Sequence, residues 1–357
     1  MSQRALHLRG RVLPSDEVVD LWIADGVIQA ERIAGAETVS TGGFIVPGLV
    51  DAHCHIGLGP GGSVDKATTR AQAEADLATG VMLVRDAGSP TDTRWIDDDP
   101  LLPKVRRAGR HIARPKRYIR DLAAEVQPEE LVAEVRTQAR AGDGWVKLVG
   151  DWIDREKGDL APLWPAVVAA EAIAAAHEEG ARVTAHCFQE QSVADLVAAG
   201  IDCIEHGTGL SPEVVVEMAR RGTALVPTMV NLANFPLYAA QGAAKFPTYS
   251  AHMLDLHARR YETIGMAREA GVHVYSGTDA GTVVAHGRTP DEIVELAKVG
   301  GAEFALGAAS WRARPWLGGE NLIVGASADL VVYDENPLTA IEVVHSPALR
   351  VLRGRVL

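Results

Sequence analysis

Two histidines separated by a single residue stand at the end of an apolar stretch. His53 and His55 occur in VDAHCHI, directly after FIVPGL, in a chain that has 12 histidines. Alternate side chains of an extended strand point the same way, so the two imidazoles share one face and Cys54 faces the other. Imidazole nitrogens are good ligands for borderline metals such as zinc. The pair indicates a metal site, but two histidines hydrogen-bonded in a polar core would show the same pattern.

Further residues that can bind a metal end other apolar segments that are typical of buried strands. In chain order they are Lys147, His186, His206 and Asp279. Lys147 is the one charged residue inside GWVKLVG, and a buried lysine is costly unless it is paired or neutralised. Each residue alone has an ordinary explanation, since lysine can reach solvent, aspartate can cap a turn and histidine can bind a carbonyl. Their repeated position at strand ends favours one metal centre.

The segments that carry these residues alternate with helical ones. We predict eight strands, at 43–53, 80–86, 105–112, 145–149, 182–187, 203–206, 224–229 and 272–277. Intervening segments such as PEELVAEVRTQARAG begin with acidic residues and end before glycine, as helices do. This alternation implies parallel βαβ units and a closed (β/α)8 barrel, whose chemistry lies at the C-terminal strand ends. An open doubly wound sheet is the alternative, but HIGLGPGGS does not open a clear helix as a phosphate loop would.

The two ends of the chain repeat a hexapeptide. LRGRVL occurs at 8–13 and again at 352–357, each time among β-branched residues. Two similar short strands at opposite termini can lie in one sheet. We therefore predict a small β-domain formed by residues 1–46 and 318–357, beside a catalytic barrel at 47–317.

Composition excludes several classes of function. The formal net charge of −12 disfavours a nucleic-acid partner, because phosphates require excess lysine and arginine. No apolar run is long enough to predict a membrane span, and the N-terminal MSQRALHLRG lacks the apolar core of a signal peptide. Three cysteines cannot all pair with one another and suit a reducing compartment. We expect a cytoplasmic protein with a small-molecule substrate.

Taken together, the motifs resemble a known family. VPGLVDAHCH, the lone lysine of the fourth strand, TAHC, IEHGTG and SGTDAG are similar to the metal signature of the amidohydrolase superfamily. VRDAGS, IEHGTG and GASADLVVYDENPL resemble its imidazolonepropionase-like and prolidase-like branch, which includes Xaa-Pro and Xaa-Arg dipeptidases. The resemblance spans nearly the whole chain. It implies an α/β fold, a distorted (β/α)8 TIM barrel with a small β-sandwich domain formed by both termini.

The resemblance also implies two divalent metal ions, with Zn²⁺ as the default. Lys147, N-carboxylated by carbon dioxide, would bridge the two ions. The other implied ligands are His53, His55 and Asp279 for the more buried ion, and His186 and His206 for the more exposed one.

This ligand set implies hydrolysis of an amide or another C–N bond of a small molecule, such as an N-acyl amino acid, a dipeptide or a cyclic amide. The metals would supply hydroxide near neutral pH and polarise the substrate carbonyl. Asp279 would move a proton from the attacking oxygen to the leaving amine, with His206 as the second catalytic residue.

Substrate contacts are predicted in three places. In RHIARPKRYIRD, the side chains of Arg117, Tyr118 and Arg120 suit a substrate carboxylate, although a solvated basic loop is the simpler interpretation of this segment. Phe188 stands near the position where imidazolonepropionases resemble one another in having an acidic residue, and it would make the pocket more apolar. His286 lies in the loop after the eighth strand. The other histidines are interpreted as surface or core residues: His111, His177, His252, His257, His273 and His345.

Three other functions stay open. Lactonases and phosphotriesterases share the ligand set but generally lack the terminal β-domain. A mononuclear deaminase needs an acid near the fifth strand, where Glu190 stands. A non-catalytic assembly protein would be expected to lose ligands, whereas all six are present here. A homo-oligomer is expected, since relatives commonly assemble symmetrically.

Overall fold

The computed structural model describes residues 4–357, which form a mixed α/β fold. The strands are β1 (Leu6–Val12), β2 (Glu17–Ala24), β3 (Val27–Gln29), β4 (Glu37–Ser40), β5 (Phe44–Pro47), β6 (Leu49–Cys54), β7 (Leu58–Gly59), β8 (Gly62–Ser63), β9 (Val81–Asp86), β10 (Lys104–Arg107), β11 (Ile112–Ala113), β12 (Ala124–Glu125), β13 (Trp145–Val149), β14 (Asp151–Asp154), β15 (Asp159–Pro162), β16 (Arg182–Cys187), β17 (Cys203–His206), β18 (Ala224–Val226), β19 (Leu330–Tyr333), β20 (Leu349–Leu352) and β21 (Arg355–Val356). The helices are α1 (Lys66–Ala78), α2 (Leu131–Ala141), α3 (Ala166–Glu178), α4 (Glu190–Ala198), α5 (Pro212–Arg221), α6 (Met229–Leu232), α7 (Phe235–Gly242), α8 (Pro247–Glu269), α9 (Thr289–Gly300), α10 (Ala302–Ala308) and α11 (Ala313–Trp316).

Side-chain caps define where the connecting helices begin. The Asp65 carboxylate accepts a hydrogen bond from the backbone N–H of Thr68 at the start of α1. The Ser211 hydroxyl does the same for Val214 at the start of α5, which ends at Gly222 in the left-handed conformation. Such caps satisfy backbone groups that have no partner within the helix. The helices that begin at these caps return the chain to the next parallel strand.

Two parallel sheets carry the predicted site. One has the order β10-β9-β6 and the other the order β12-β11-β13-β16-β17-β18. The segment that follows α8 joins them, because Tyr275 N–H donates to Leu225 O at 2.9 Å and Ala52 N–H donates to Ser276 O at 2.8 Å. The α/β prediction is confirmed. A closed eight-stranded barrel stays a prediction.

Four of the predicted strands differ from the observed ones. The strand predicted at 43–53 is divided into β5, which pairs with β1 and β19, and β6, which pairs with β9. The predicted strand 105–112 is divided, because the chain turns at Gly109 (φ 68°): β10 pairs with β9 and β11 pairs with β13. The strand predicted at 224–229 ends at Val226, and α6 begins at Met229. Within the described chain, residues 272–277 make an isolated bridge at Val274 instead of a strand.

Both termini contribute to one mixed sheet. Its order is β21-β20-β19-β5-β1-β2-β3, and β4 pairs with β1. The first LRGRVL copy lies mostly in β1 and the second covers the end of β20 and all of β21. Buried aliphatic side chains, including Leu8, Ile23, Leu330 and Val351, form the core of this sheet. A common sheet is therefore observed, whereas the two-layered β-sandwich and the domain boundaries at 46 and 318 stay predictions.

Within residues 4–357, none of the helices combines the length and the apolar character that a bilayer crossing requires.

Candidate metal centre

His53 and His55 converge on one carboxylate at the end of β6. The Nε2 atoms of the two rings are 3.3 Å apart, and each lies 3.0 Å from Oδ1 of Asp279. Both rings are buried, and the Asp279 side chain is 16% exposed. The sheet thus brings together residues that are more than 220 positions apart in the sequence.

His186 and His206 end the adjacent parallel strands β16 and β17. His206 Nε2 lies 3.0 Å from His186 Nδ1, and both rings are buried. His206 joins this pair to the other histidines, since potential ligand atoms of His53, His206 and Asp279 all lie within 4.8 Å of one another. The five predicted ligands other than Lys147 therefore form one group, which we call the ligand cluster.

Lys147 lies on β13 with its side chain 1% exposed. Its Nζ contacts the buried carboxylate of Glu205, which also accepts hydrogen bonds from Arg85 Nη2 at 3.0 Å and Thr184 Oγ1 at 2.7 Å. The Lys147 charge acts on the neighbouring rings and contributes, after burial, to the lowered pKa values of His53 and His186. Lys147 is therefore next to the ligand cluster, where the sequence placed it.

The chemistry of the cluster fits a bound cation. His55 Nδ1 lies 2.8 Å from the carbonyl oxygen of Gly88, which can only accept, so Nδ1 carries the hydrogen. In the neutral ring, the Nε2 lone pair then faces the Asp279 oxygen at 3.0 Å. His186 Nε2 is buried and has no hydrogen-bond partner among residues 4–357. A set of metal ligands described without its ion has these two features: lone pairs that face one another, and a buried nitrogen without a partner.

Burial keeps the imidazoles neutral. It lowers the pKa of His53 to about 4 and that of His206 to about 3, so both rings offer lone pairs at pH 7. Burial acts against ionisation of Asp279, but its close contacts with the rings of His53 and His55 outweigh burial and hold the pKa of Asp279 well below its usual range. Neutral imidazoles and an ionised carboxylate are the ligand forms that bind divalent metals.

Two of the ligands adopt an uncommon backbone conformation. His206 has φ 67° and Asp279 has φ 59°, in the left-handed region that side chains with a Cβ rarely adopt. Thr228, whose hydroxyl lies 2.7 Å from His206 Nδ1, has φ 51°. Strain of this kind concentrates at functional sites because the surrounding structure must maintain it.

A buried aspartate connects the end of β6 to the segment that leads to Asp279. One carboxylate oxygen of Asp51 accepts hydrogen bonds from the backbone N–H groups of His53 (3.0 Å) and Thr278 (3.1 Å), and the other accepts from the Thr278 hydroxyl (2.5 Å). The approach also requires glycine, because a Cβ on Gly277 would lie 2.7 Å from the His53 backbone nitrogen. Asp51 therefore fixes how Asp279 meets the histidines.

The opposite side of the ligand cluster is aromatic. The Phe188 ring centroid lies 4.3 Å from that of His186 and 4.9 Å from that of His206. Tyr118 and Trp152 contact His186 at 5.9 and 5.4 Å. The structure thus brings two of the predicted substrate contacts, Tyr118 and Phe188, to the cluster.

Other predicted contacts are engaged elsewhere. Arg117 binds Asp154 at 3.3 Å and donates to the carbonyls of Trp152 and Ala161, so it supports the β14–β15 hairpin. Its predicted availability to a substrate carboxylate does not agree with these contacts.

His286 and Arg120 also lie apart from the ligand cluster. His286 Nδ1 binds Asp76 of α1 at 2.8 Å, in a separate buried group with Cys54, on the face of β6 opposite the two histidines. Arg120 is exposed. Because α1 already binds His286, a contact between His286 and substrate has no support here.

Several residues of the centre were missed from the sequence. Glu205 precedes His206 in IEHGTG, and the need of the buried Lys147 for a partner could have revealed it. His111 stacks on His55 with a centroid distance of 4.9 Å. The one sequence signal for this contact was the position of His111 within a predicted strand. Asn231 donates from Nδ2 to Asp279 Oδ2 at 2.7 Å and accepts from the Tyr238 hydroxyl at 2.8 Å. No local pattern pointed to Asn231.

Comparison with known proteins agrees with the predicted family. The sequence profile of the amidohydrolase family matches residues 44–356. An uncharacterized protein of Mycobacterium tuberculosis is 56% identical over 352 residues, which cover 98% of this chain and 95% of that protein. A solved structure of a putative prolidase from Bifidobacterium longum has a TM-score of 0.85 at 23% identity, covering 100% of this chain and 95% of that one.

A Xaa-Pro dipeptidase with methionine bound in its active site has a TM-score of 0.82 at 22% identity, and the match covers 100% of both chains. At such identities the solved structures show the fold alone, which is α/β and TIM-barrel-like. The family profile spans most of the chain and supports a hydrolase that acts on C–N bonds. The predicted family is thereby confirmed: the chain belongs to the amidohydrolase family.

Proposed function

We propose that this chain is a binuclear metal-dependent hydrolase that cleaves an amide or another C–N bond of a small molecule, such as an N-acyl amino acid, a dipeptide or a cyclic amide. One observation carries the proposal: His53 Nε2 and His55 Nε2 both lie 3.0 Å from one oxygen of Asp279, beside the His186–His206 pair. The closed (β/α)8 barrel, the terminal β-sandwich and homo-oligomeric assembly belong to the same proposal.

The six predicted ligands would hold two divalent ions, with Zn²⁺ as the default because histidine and carboxylate donors suit it. When bound, the ions supply the Lewis acidity that ionises a water molecule near pH 7 and polarises a substrate carbonyl. Carboxylation of Lys147 would convert a buried cation into an anionic bridging ligand. Arg85 and Thr184 would then continue to bind Glu205.

The orientation of Asp279 suits proton transfer. Its Oδ1 faces the two histidines, while its Oδ2 accepts from Asn231, which the Tyr238 hydroxyl holds in turn. A carboxylate fixed in this way can accept the proton of the attacking water and deliver it to the leaving amine. Asn231 and Tyr238 act as positioning residues in this scheme.

The deaminase alternative is less well supported by the contacts of Glu190. Its carboxylate binds Arg259 and lies 3.2 Å from His252, and both of these residues are on α8. An acid for deamination would have to face the ligand cluster. Lactone or phosphotriester hydrolysis is distinguished from C–N bond hydrolysis by assay, because the same metal ligands can serve each of these reactions.

The proposal is tested by metal analysis and by the Asp279→Asn variant. Purified protein is expected to contain transition metal and to hydrolyse members of a panel of N-acyl amino acids and dipeptides in preference to lactones and phosphotriesters. Asp279→Asn should lower kcat on the order of 10²–10⁴-fold, because the proton carrier is lost, while much of the metal remains bound. Asp255→Asn, at an exposed position on α8, is the matched control.

Two outcomes would contradict the proposal. Near-normal kcat of Asp279→Asn would remove the assigned proton transfer. Protein without transition metal, even after growth in supplemented medium, would favour a non-catalytic role.

A further inference from the structure

A cavity of about 270 Å³ lies beside the ligand cluster. One wall is the β14–β15 hairpin, which contributes Trp152 and Leu160, and Phe188 forms another part of the lining. The remaining wall comes from α7, the turn after it and the first turn of α8. Apart from Phe188, which directly follows β16, the lining therefore comes from elements that do not carry the predicted metal ligands.

Two rings place the cavity next to the reacting groups. Phe188 and Trp152 line it, and both contact the His186 ring, at 4.3 and 5.4 Å between centroids. A third lining residue, Tyr238, is one hydrogen bond from Asn231, which binds Asp279. A group held in the cavity would therefore contact two rings that themselves contact His186, and a tyrosine that is hydrogen-bonded to the Asn231 partner of Asp279.

The lining is suited to an aromatic group. Five of its ten residues are aromatic, in a chain of which aromatic residues are 5%: Trp152, Phe188, Tyr238, Phe246 and Tyr249. Aromatic side chains favour offset-stacked or edge-to-face contact with another ring. Within the described range 4–357, no acidic residue lines the cavity. The cavity therefore suits a flat apolar group.

Lys245 is the one charged residue of the lining. It lies in the turn between α7 and α8, is exposed, and forms no ion pair with any residue in the described range 4–357. Its Nζ is 5.1 Å from the centre of the Phe246 ring. The flexible stem lets an ammonium at this rim reach an anionic group on a molecule whose ring occupies the cavity.

We propose that this cavity binds the aromatic side chain of the substrate and that Lys245 pairs with its carboxylate, so that the substrates are N-acylated or peptide-bonded aromatic amino acids. The proposal rests on the hydrolase function above and specifies its substrate class. In such a molecule the aromatic side chain and the carboxylate are both attached to the α-carbon, which also carries the nitrogen of the C–N bond that is cleaved. Both recognition elements then position that bond at the ligand cluster.

The test compares N-acetyl-L-phenylalanine with N-acetylglycine and with N-acetyl-L-phenylalanine amide, which has no carboxylate. In metal-loaded enzyme, kcat/KM is expected to be about ten-fold or more higher for the phenylalanine than for the glycine compound. Trp152→Ala should reduce this ratio strongly. Lys245→Met should reduce the ratio between the acid and its amide. Trp22→Ala in the terminal sheet and Lys66→Met on α1 are matched controls that should leave both ratios unchanged.

A binding measurement separates this proposal from the proposed function. Calorimetry on metal-free protein is expected to give a lower Kd for N-acetyl-L-phenylalanine than for N-acetylglycine, and Trp152→Ala should abolish the difference. If metal-free protein binds the aromatic compound but metal-loaded protein does not hydrolyse it, the hydrolase function fails and the cavity assignment stands. Hydrolysis of all compounds without aromatic preference, unaffected by the variants, would overturn the cavity assignment alone. Phe246→Ala replaces Trp152→Ala if the latter does not fold.

Discussion

The two sides of the ligand cluster are held in place by different kinds of interaction. On the inner side, His53, His55 and Asp279 are fixed by directional hydrogen bonds to Asp51, to the Gly88 carbonyl and to Asn231. On the outer side, His186 is surrounded by the rings of Phe188, Trp152 and Tyr118, of which the first is buried and the others are partly exposed.

This difference separates chemistry from selectivity. Hydrogen bonds of fixed direction hold ligand atoms to within a few tenths of an ångström, which metal coordination requires. Ring contacts fill space without fixing one direction, so the same outer wall can change its shape while the inner ligands stay in place. The comparison predicts that inner substitutions abolish activity or unfold the protein, whereas outer substitutions change which substrate is accepted.

The largest effect is expected from Glu205→Gln on the inner side. The change leaves the buried cations of Lys147 and Arg85 without their shared carboxylate. Breaking a buried ion pair from one side typically costs about 3–5 kcal/mol, and we expect this loss in the free energy of unfolding measured with urea on metal-free protein. Glu217→Gln, which removes an exposed partner of Arg220 and Arg221 on α5, should cost less than about 1 kcal/mol.

Equal losses in the two variants would mean that the inner side does not depend on this buried charge. The contrast between the regions would then have to rest on hydrogen-bond geometry alone.

A smaller effect is expected from Arg117→Met on the outer side. The methionine keeps part of the apolar stem but removes the donors to the Trp152 and Ala161 carbonyls, so the hairpin should exchange its amide hydrogens faster. Loss of these hydrogen bonds should lower the free energy of unfolding by about 1–2 kcal/mol. Hydrolysis should persist with a weaker aromatic preference. Arg9→Met, at an exposed position on β1 of the terminal sheet, is the control.

Unchanged amide exchange of residues 151–162 in Arg117→Met would show that the hairpin is held by its other contacts. The outer wall would then be more rigid than the comparison assumes.

The sequence predicted the inner side better than the outer side, for a physical reason. Alternation along a strand places His53 and His55 on one face, and the rule that parallel strands end at a common edge adds the remaining ligands. The cavity depends on how the β14–β15 hairpin meets α7, and this contact between distant segments has no local pattern. Arg117 shows the limit, since a basic loop looks the same in sequence whether its guanidinium is free or bound to a hairpin.

Similarly, Glu205 was predictable in kind but not in position. A buried lysine in a strand requires an acidic partner, yet several acids of the chain could have met Lys147 before the register of β13, β16 and β17 was known. The third strand was predicted as continuous, whereas the chain turns at Gly109 and changes its pairing partner there.

The smallest effect concerns pH and the link between the hairpin and α8. His252 lies 3.0 Å from Asp159, at the start of β15, and 3.2 Å from Glu190. The hydrogen bond to Glu190 raises the pKa of His252 to about 9, against burial and with help from Asp159. A pKa raised above the unfolded value of about 6.5 gives stabilisation that is complete below pH ~6.5 and is lost as pH rises through about 9. Because the group is partly exposed, its contribution should be no more than about 1 kcal/mol.

The difference in Tm between the wild-type protein and His252→Gln should therefore be largest near pH 6 and should shrink towards pH 9.5. The control is His257→Gln, on the same helix. Its Tm difference should not shrink towards high pH, because burial lowers the pKa of His257 instead of raising it. A pH-independent difference for His252→Gln would assign the link to neutral hydrogen bonding. The outer wall would then lack a charge-dependent connection, and both sides of the ligand cluster would be held by hydrogen bonds of the same kind.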